Sequence, residues 1–225
     1  MEDIQGSFAA ENGLARRWYI LLSLVLVVLV LDQATKFWAV GRLTRAFELH
    51  EADGVFAQIA VFFDAEKLEK LRAPSVVVHR DFWHFKYVEN PGAAWGMLGR
   101  LPDGLRIPFF WGVSLVAMTL IFAFFRRLSE NARLLQVALS LVLGGALGNF
   151  VDRVARGYVI DFIDWHWRNQ PHLHWPTFNV ADVGICVGVS LLLVQSLFGR
   201  HPLGEPEGEG SVVPQGSDGE QNATS

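Results

Sequence analysis

Four long apolar runs divide the chain, and polar residues gather at one end of three of them. The first runs roughly from Trp18 to Leu31 and extends through Phe37 to Val40. The second covers Ile107 to Phe125, the third Leu134 to Val151, and the fourth Phe178 to Phe198. A membrane-spanning helix needs about 20 mostly apolar residues. The second and fourth runs reach that length outright. The first and third reach it only with polar residues at one end. Between the first two runs, Phe82, His84 and Lys86 alternate with Trp83, Phe85 and Tyr87 inside Val76–Val88, a period of two that predicts strands with one apolar face. The expected fold is mainly α and integral to a membrane. It has four transmembrane helices with a small extracytoplasmic β-sheet between helices one and two.

The remaining segments follow from polarity. Residues 1–15 read as a loose polar cytoplasmic N-terminus, 16–198 as the membrane domain with an outer loop at 41–106, and Asp64–Arg72 as a short charged helix in that loop. Residues 199–225 are rich in Gly, Glu, Pro, Ser and Gln. Such a tail buries too little apolar surface to fold, so a disordered cytoplasmic tail is expected. Arg16 and Arg17 precede an apolar run as in a secretory leader, but the run ends in Asp32-Gln33 without a small-x-small cleavage site, so it reads as an uncleaved span.

Charge sets the orientation. Arg16 and Arg17 precede span one, Arg126, Arg127 and Arg133 lie between spans two and three, and Arg200 follows span four. Positive loops stay inside, which places both termini in the cytoplasm. The net charge of −4 is modest, and no basic stretch interleaved with aromatics supports nucleic-acid binding. Half of the residues are apolar. The single cysteine, Cys186, lies in an apolar run and reads as a small buried side chain. Trp83, Trp95, Trp111, Trp165, Trp167 and Trp175 fall near predicted span ends or in outside loops, where interfacial tryptophan is expected. His172 and His174 are too weak a pair to indicate a metal, and no cofactor is expected.

The polar residues at the span ends offer the chemistry. Asp32 and Lys36 share a helix face and read alone as a local ion pair. Asn149, Asp152 and Arg153 end span three beyond small residues, including Gly145, that admit a neighbouring helix. Asn179 and Asp182 start span four and read alone as an N-cap and a first-turn acid. Asp161 lies in a short apolar stretch, Tyr158–Ile163, where the plain reading is a surface turn acid; Asp164 suits that reading better. Asn90 precedes span two. An ionisable group at a membrane segment points to function. Asp161 and Asp182, if they meet, can share a proton as the carboxylates of aspartic peptidases do. A small proton-coupled transporter component is the alternative. It predicts polar groups along the depth of the spans rather than at one end. A non-enzymatic scaffold predicts that both acids tolerate Asn.

Five segments in register resemble the lipoprotein signal peptidases of bacteria, the type II signal peptidases. They are Asp32-Gln-Ala-Thr-Lys36, Tyr87-Val-Glu-Asn-Pro-Gly-Ala-Ala-Trp-Gly-Met-Leu98, Gly144-Gly-Ala-Leu-Gly-Asn-Phe-Val-Asp-Arg153, Gly157-Tyr-Val-Ile-Asp-Phe162 and Phe178-Asn-Val-Ala-Asp182. The resemblance covers roughly residues 16–198. It implies an aspartic endopeptidase of the bacterial inner membrane, active near the outer leaflet; a monomer is the simplest expectation, because the site would be complete within one chain. Its substrates would be prolipoproteins cut before a diacylglyceryl-modified cysteine, with membrane lipid as a further partner. Asp161 and Asp182 would be catalytic. Asp32, Lys36, Asn90, Asn149, Arg153 and Asn179 would line or support the site, and Gly145 and Asp152 would be structural. No metal is implied. The loop around 45–75, Pro91 and Trp95, and the acidic tail depart from the compact family pattern.

Overall fold

A computed structural model describes residues 2–64, 67–92, 98, 101–168, 170 and 173–198. The expected tail at 199–225 and part of the Asn90–Leu98 motif lie outside these residues. Four helices are long and apolar enough to cross a membrane. Helix α1 (Glu2–Leu43) contains the span Ala15–Leu43 and begins within the stretch read as loose. Between α1 and the sheet come α2 (Ala46–Leu49), α3 (Val55–Asp64) and a 3-10 turn, Leu68–Leu71. The charged helix expected over Asp64–Arg72 is thus reduced to that turn, while the preceding apolar residues form α3 instead. Strands β1 (Val76–His79) and β2 (Trp83–Asn90) precede α4 (Asp103–Arg126), α5 (Arg133–Arg156), β3 (Val159–Trp165) and α6 (Val180–Phe198).

Helix α5 is the centre of the bundle and packs on α6, α1 and α4. Its small residues explain this position. A Cβ on Gly145 would lie 2.3 Å from the Ala181 carbonyl oxygen, and one on Gly188 of α6 would lie 2.6 Å from that of Ala138. The α5 and α6 backbones therefore touch directly, the close approach that small residues permit between membrane helices. Much of α4 and α6 presents large apolar side chains outward, among them Leu120, Phe124, Leu193 and Leu197. Such faces suit lipid. Cys186 is also exposed rather than buried, because α6 turns its Gly184 and Gly188 inward and leaves Cys186 on the other side.

Gly145→Ala is expected to push α6 off α5. Overpacking of this kind costs about 1–3 kcal/mol, and the backbone it meets is one residue from Asp182. Thermal unfolding in detergent should show a clear loss of stability.

The sheet at one end of the bundle has the order β1-β2-β3, all antiparallel. The expectation placed it wholly between the first two spans. Its third strand comes instead from the connection between α5 and α6. That strand was hidden because Val159, Ile160, Asp161 and Phe162 are all buried, so no alternation marks it. Gly157, with φ of 75°, caps α5 and turns the chain into β3. Val40, Leu43, Phe62, Leu68, Tyr87, Ile160 and Phe162 form the core between the sheet and the end of α1. Residues before α6 then run beside β3, with Phe162 and Ile163 donating backbone N–H groups to the Phe178 carbonyl. This pairing brings the start of α6 next to Asp161. At the opposite end, Arg17 donates to the Leu128 carbonyl and Arg16 to that of Glu130. The arginines before span one thus meet the connection between spans two and three.

Candidate active site

The site is built in two layers at the sheet end of the bundle. The deeper layer is ionic. Lys36, on α1, lies 2.7 Å from Asp32 and 2.9 Å from Asp152, and all three side chains are fully buried. Asp152 also pairs with Arg156 and accepts hydrogen bonds from Gln33 and the Ile160 N–H. Asp32 accepts from the Ala181 N–H at 2.9 Å, satisfying one of the donors that a helix start leaves open. Two acids face two bases, so the buried charge is balanced. The local ion pair expected for Asp32 and Lys36 is present but extends into a four-residue network. Asp152 fits its expected structural part, tying α5 to α1 and β3. Gln33 and Arg156 were not singled out from the sequence, although Gln33 lies inside the Asp32–Lys36 segment.

The upper layer consists of amides and the two candidate acids. Lys36 can only donate, so Asn149 must turn its oxygen toward the ammonium, at 3.1 Å. Its amide nitrogen then donates to Asp182 at 2.8 Å. Asn179 is fixed by similar logic. Its oxygen accepts from the Asp182 N–H at 3.0 Å, and the Asn179 N–H returns a bond to Asp182 at 3.2 Å. This reciprocal pair is a capping box for α6. The N-cap and first-turn readings of Asn179 and Asp182 are therefore correct as structure, and the cap is what aims the acid. The Asn179 amide nitrogen is left to donate to Asp161 at 2.7 Å. Asn90, on β2, donates to the other oxygen of Asp161 at 3.0 Å.

Asp161 is thus not a surface turn acid. It is 2% exposed within β3 and stands opposite Val88. Asp164 is buried as well and pairs with Lys86 at 2.7 Å, so the turn reading fails for it too. Burial, followed by the nearby Asp182 carboxylate, pushes Asp161 up to about 7, against the opposing hydrogen bonds from Asn90 and Asn179. Both acids open on one cavity of about 690 Å³. Asn90, Asn149 and Arg153 share its lining, and Val88, Trp165, Trp175, Phe178, Val183 and Val187 form apolar walls. Arg153 donates to the Gly92 carbonyl at 3.2 Å and stacks on Phe110. It is not in the buried ionic layer, although its neighbour Asp152 is. Asp32, Lys36 and Asn179 support the cavity from beneath rather than line it.

Four apolar spans define a multi-pass membrane protein, and two carboxylates facing one chamber give it the layout expected for acid–base chemistry. Residues 24–198 match the family described as signal peptidase (SPase) II. A lipoprotein signal peptidase from an Anaeromyxobacter species is 46% identical over 184 residues, which cover 82% of this chain and 87% of that one. One from Syntrophotalea carbinolica is 39% identical over 175 residues, covering 78% and 89%. A solved bacterial membrane enzyme, 27% identical, superposes with a TM-score of 0.58 over 84% of this chain and 94% of its own. The chain belongs to the signal peptidase II family.

Proposed function

We propose that Asp161 and Asp182 are the catalytic pair of an endopeptidase that removes signal peptides from prolipoproteins, cutting before the diacylglyceryl-modified cysteine. The observation that supports this most is the pair itself. Two acids from separate elements, tied to a common set of asparagines, open on one cavity. Asp161, protonated near neutrality, hydrogen-bonds the scissile carbonyl. Asp182 accepts two N–H donors in the first turn of α6, where the dipole favours negative charge. It takes a proton from the attacking water. The C–N bond then breaks as a proton passes to the leaving amine. Asn90 and Asn179 hold Asp161 in place, Asn149 holds Asp182, and Arg153 orients the peptide. The apolar walls suit a substrate that remains partly in lipid.

Arginine placement supports cytoplasmic termini in a bacterial inner membrane, with the sheet and cavity at the outer leaflet. All site residues belong to one chain, which favours a monomer. A proton-coupled transporter is not favoured, because the acids sit at one end of the bundle and α4 is apolar along most of its length.

The test is cleavage of a diacylglyceryl-modified prolipoprotein by purified protein in detergent, beside the unmodified precursor. Product ending just before the modified cysteine, with the unmodified precursor left intact, supports the proposal. An inert protein, or equal cutting of both, overturns it. The same assay checks the proton state. A dyad works with one proton, so kcat/KM should fall as pH rises through about 7 and Asp161 ionises.

A further inference from the structure

A second set of titratable groups lies in the sheet, apart from the two acids. His84 of β2 stands opposite Asp164 of β3. His166, just past β3, bridges His174 on the segment that returns toward α6. One ligand atom from each of His84, Asp164 and His166 lies within 4.8 Å of the others. The His84 and His166 rings are 4.4 Å apart, and the His166 and His174 rings stack at 5.0 Å. His174 Nδ1 lies 3.3 Å from the Asp164 carboxylate. Asp164 and His166 are 2% and 5% exposed. The His84 Nε2 is buried and has no hydrogen-bond partner among the described residues.

We propose that His84, Asp164 and His166, with His174 as the fourth ligand, bind a divalent transition-metal ion of the zinc type. Imidazole nitrogens with one carboxylate are borderline donors suited to zinc, whereas calcium and magnesium require oxygen ligands. Zinc–nitrogen bonds of about 2.0–2.1 Å place tetrahedral ligands roughly 3.3 Å apart. Among His84, Asp164 and His166 the widest pair must therefore close by up to about 1.5 Å, and His174, outside that set, must swing in beside them, movements that side-chain rotation on a fixed sheet can supply. Four protein ligands would close the coordination sphere, so the ion is structural. It joins β2, β3 and the segment holding Trp175 and Phe178, two residues of the cavity wall.

Lys86 sharpens the test. Its ammonium sits 2.7 Å from Asp164 and competes with a cation for that carboxylate, but at 34% side-chain exposure it is free to turn into solvent. Removing it should tighten metal binding, which a merely structural ion pair does not predict.

The experiment uses the full chain in detergent, with any affinity tag removed and metal stripped by chelation. Zn²⁺ is titrated against a chromophoric chelator. One ion per chain is expected, with affinity weakened about tenfold or more in His84→Gln and Asp164→Asn, and tightened in Lys86→Met. His79→Gln, on β1 outside the cluster, should bind as wild type does. Melting curves without metal identify any variant that has not folded. If Asp164→Asn is one of these, His84→Gln decides, since His84 is only partly buried. Absence of a one-to-one site, retention of full affinity in His84→Gln, or equal loss in His79→Gln overturns the proposal.

Discussion

Asp161→Asn and Asp182→Asn are each expected to lower kcat/KM by about 10³-fold or more, with the double variant little worse than either single one. Residues that act as a unit are not additive, so the third measurement distinguishes a dyad from two independent contributors. Folding should survive. Asn is close in shape to Asp, and the buried ionic layer beneath is untouched. Stability at alkaline pH should even improve for Asp161→Asn. The ordinary value of this carboxyl is 3.8, and in the fold it is raised to about 7. Between about pH 4 and 7 the folded chain holds a proton that the unfolded chain has released. The stability contributed by this group is therefore fully present below about pH 4 and is lost as pH rises through about 7. An amide removes that penalty. Melting at pH 8 should show Asp161→Asn no less stable than wild type while it is inactive. A variant that melts early instead would mean that lost activity reports lost structure.

Lys36→Met is expected to be the most destabilising single change in the buried layer. It removes a fully buried ammonium from between two fully buried acids. Breaking one side of such a pair costs about 3–5 kcal/mol, against a total stability of roughly 5–15 kcal/mol for most proteins. Asp152 retains Arg156, so most of the damage falls on Asp32. Adding Asp32→Asn should then recover part of the loss, since the remaining acid and base balance. Activity should fall even where the fold holds. Without the Lys36 donor, the Asn149 oxygen keeps only the bond from the Asn179 amide at 3.2 Å, so its amide nitrogen is held less firmly toward Asp182. Melting temperatures of the single and double variants, with residual cleavage at low temperature, check both parts.

The four spans were legible because a bilayer demands a long apolar run, and that demand is written locally. Asp32, Asn149, Asn179 and Asp182 could be picked out because each is a polar exception at the end of such a run. Strand β3 was not legible. It is short, buried on both faces and contains Asp161, so it resembles neither an alternating strand nor a span. Its pairing with β2 links residues about 70 positions apart, which local periodicity cannot register. Arg156 was hidden for a similar reason: at the end of α5 it looks like an interfacial cation, yet it turns inward to Asp152. The apolar helix α3 escaped notice beside the more conspicuous charges of Asp64–Arg72. The histidine cluster escaped as well, since His84 and Asp164 meet only through the sheet.

The bond from the Ala181 N–H to Asp32 joins residues 149 positions apart. The first helix to enter the bilayer thus holds an acceptor whose donor arrives only with the last. Asp161 is synthesised before α6 and stands alone until that helix docks. If Asp161 and Asp182 are the catalytic pair proposed above, biogenesis and arming are one event: a nascent chain halted before α6 has one acid of two and is expected to leave precursors uncut.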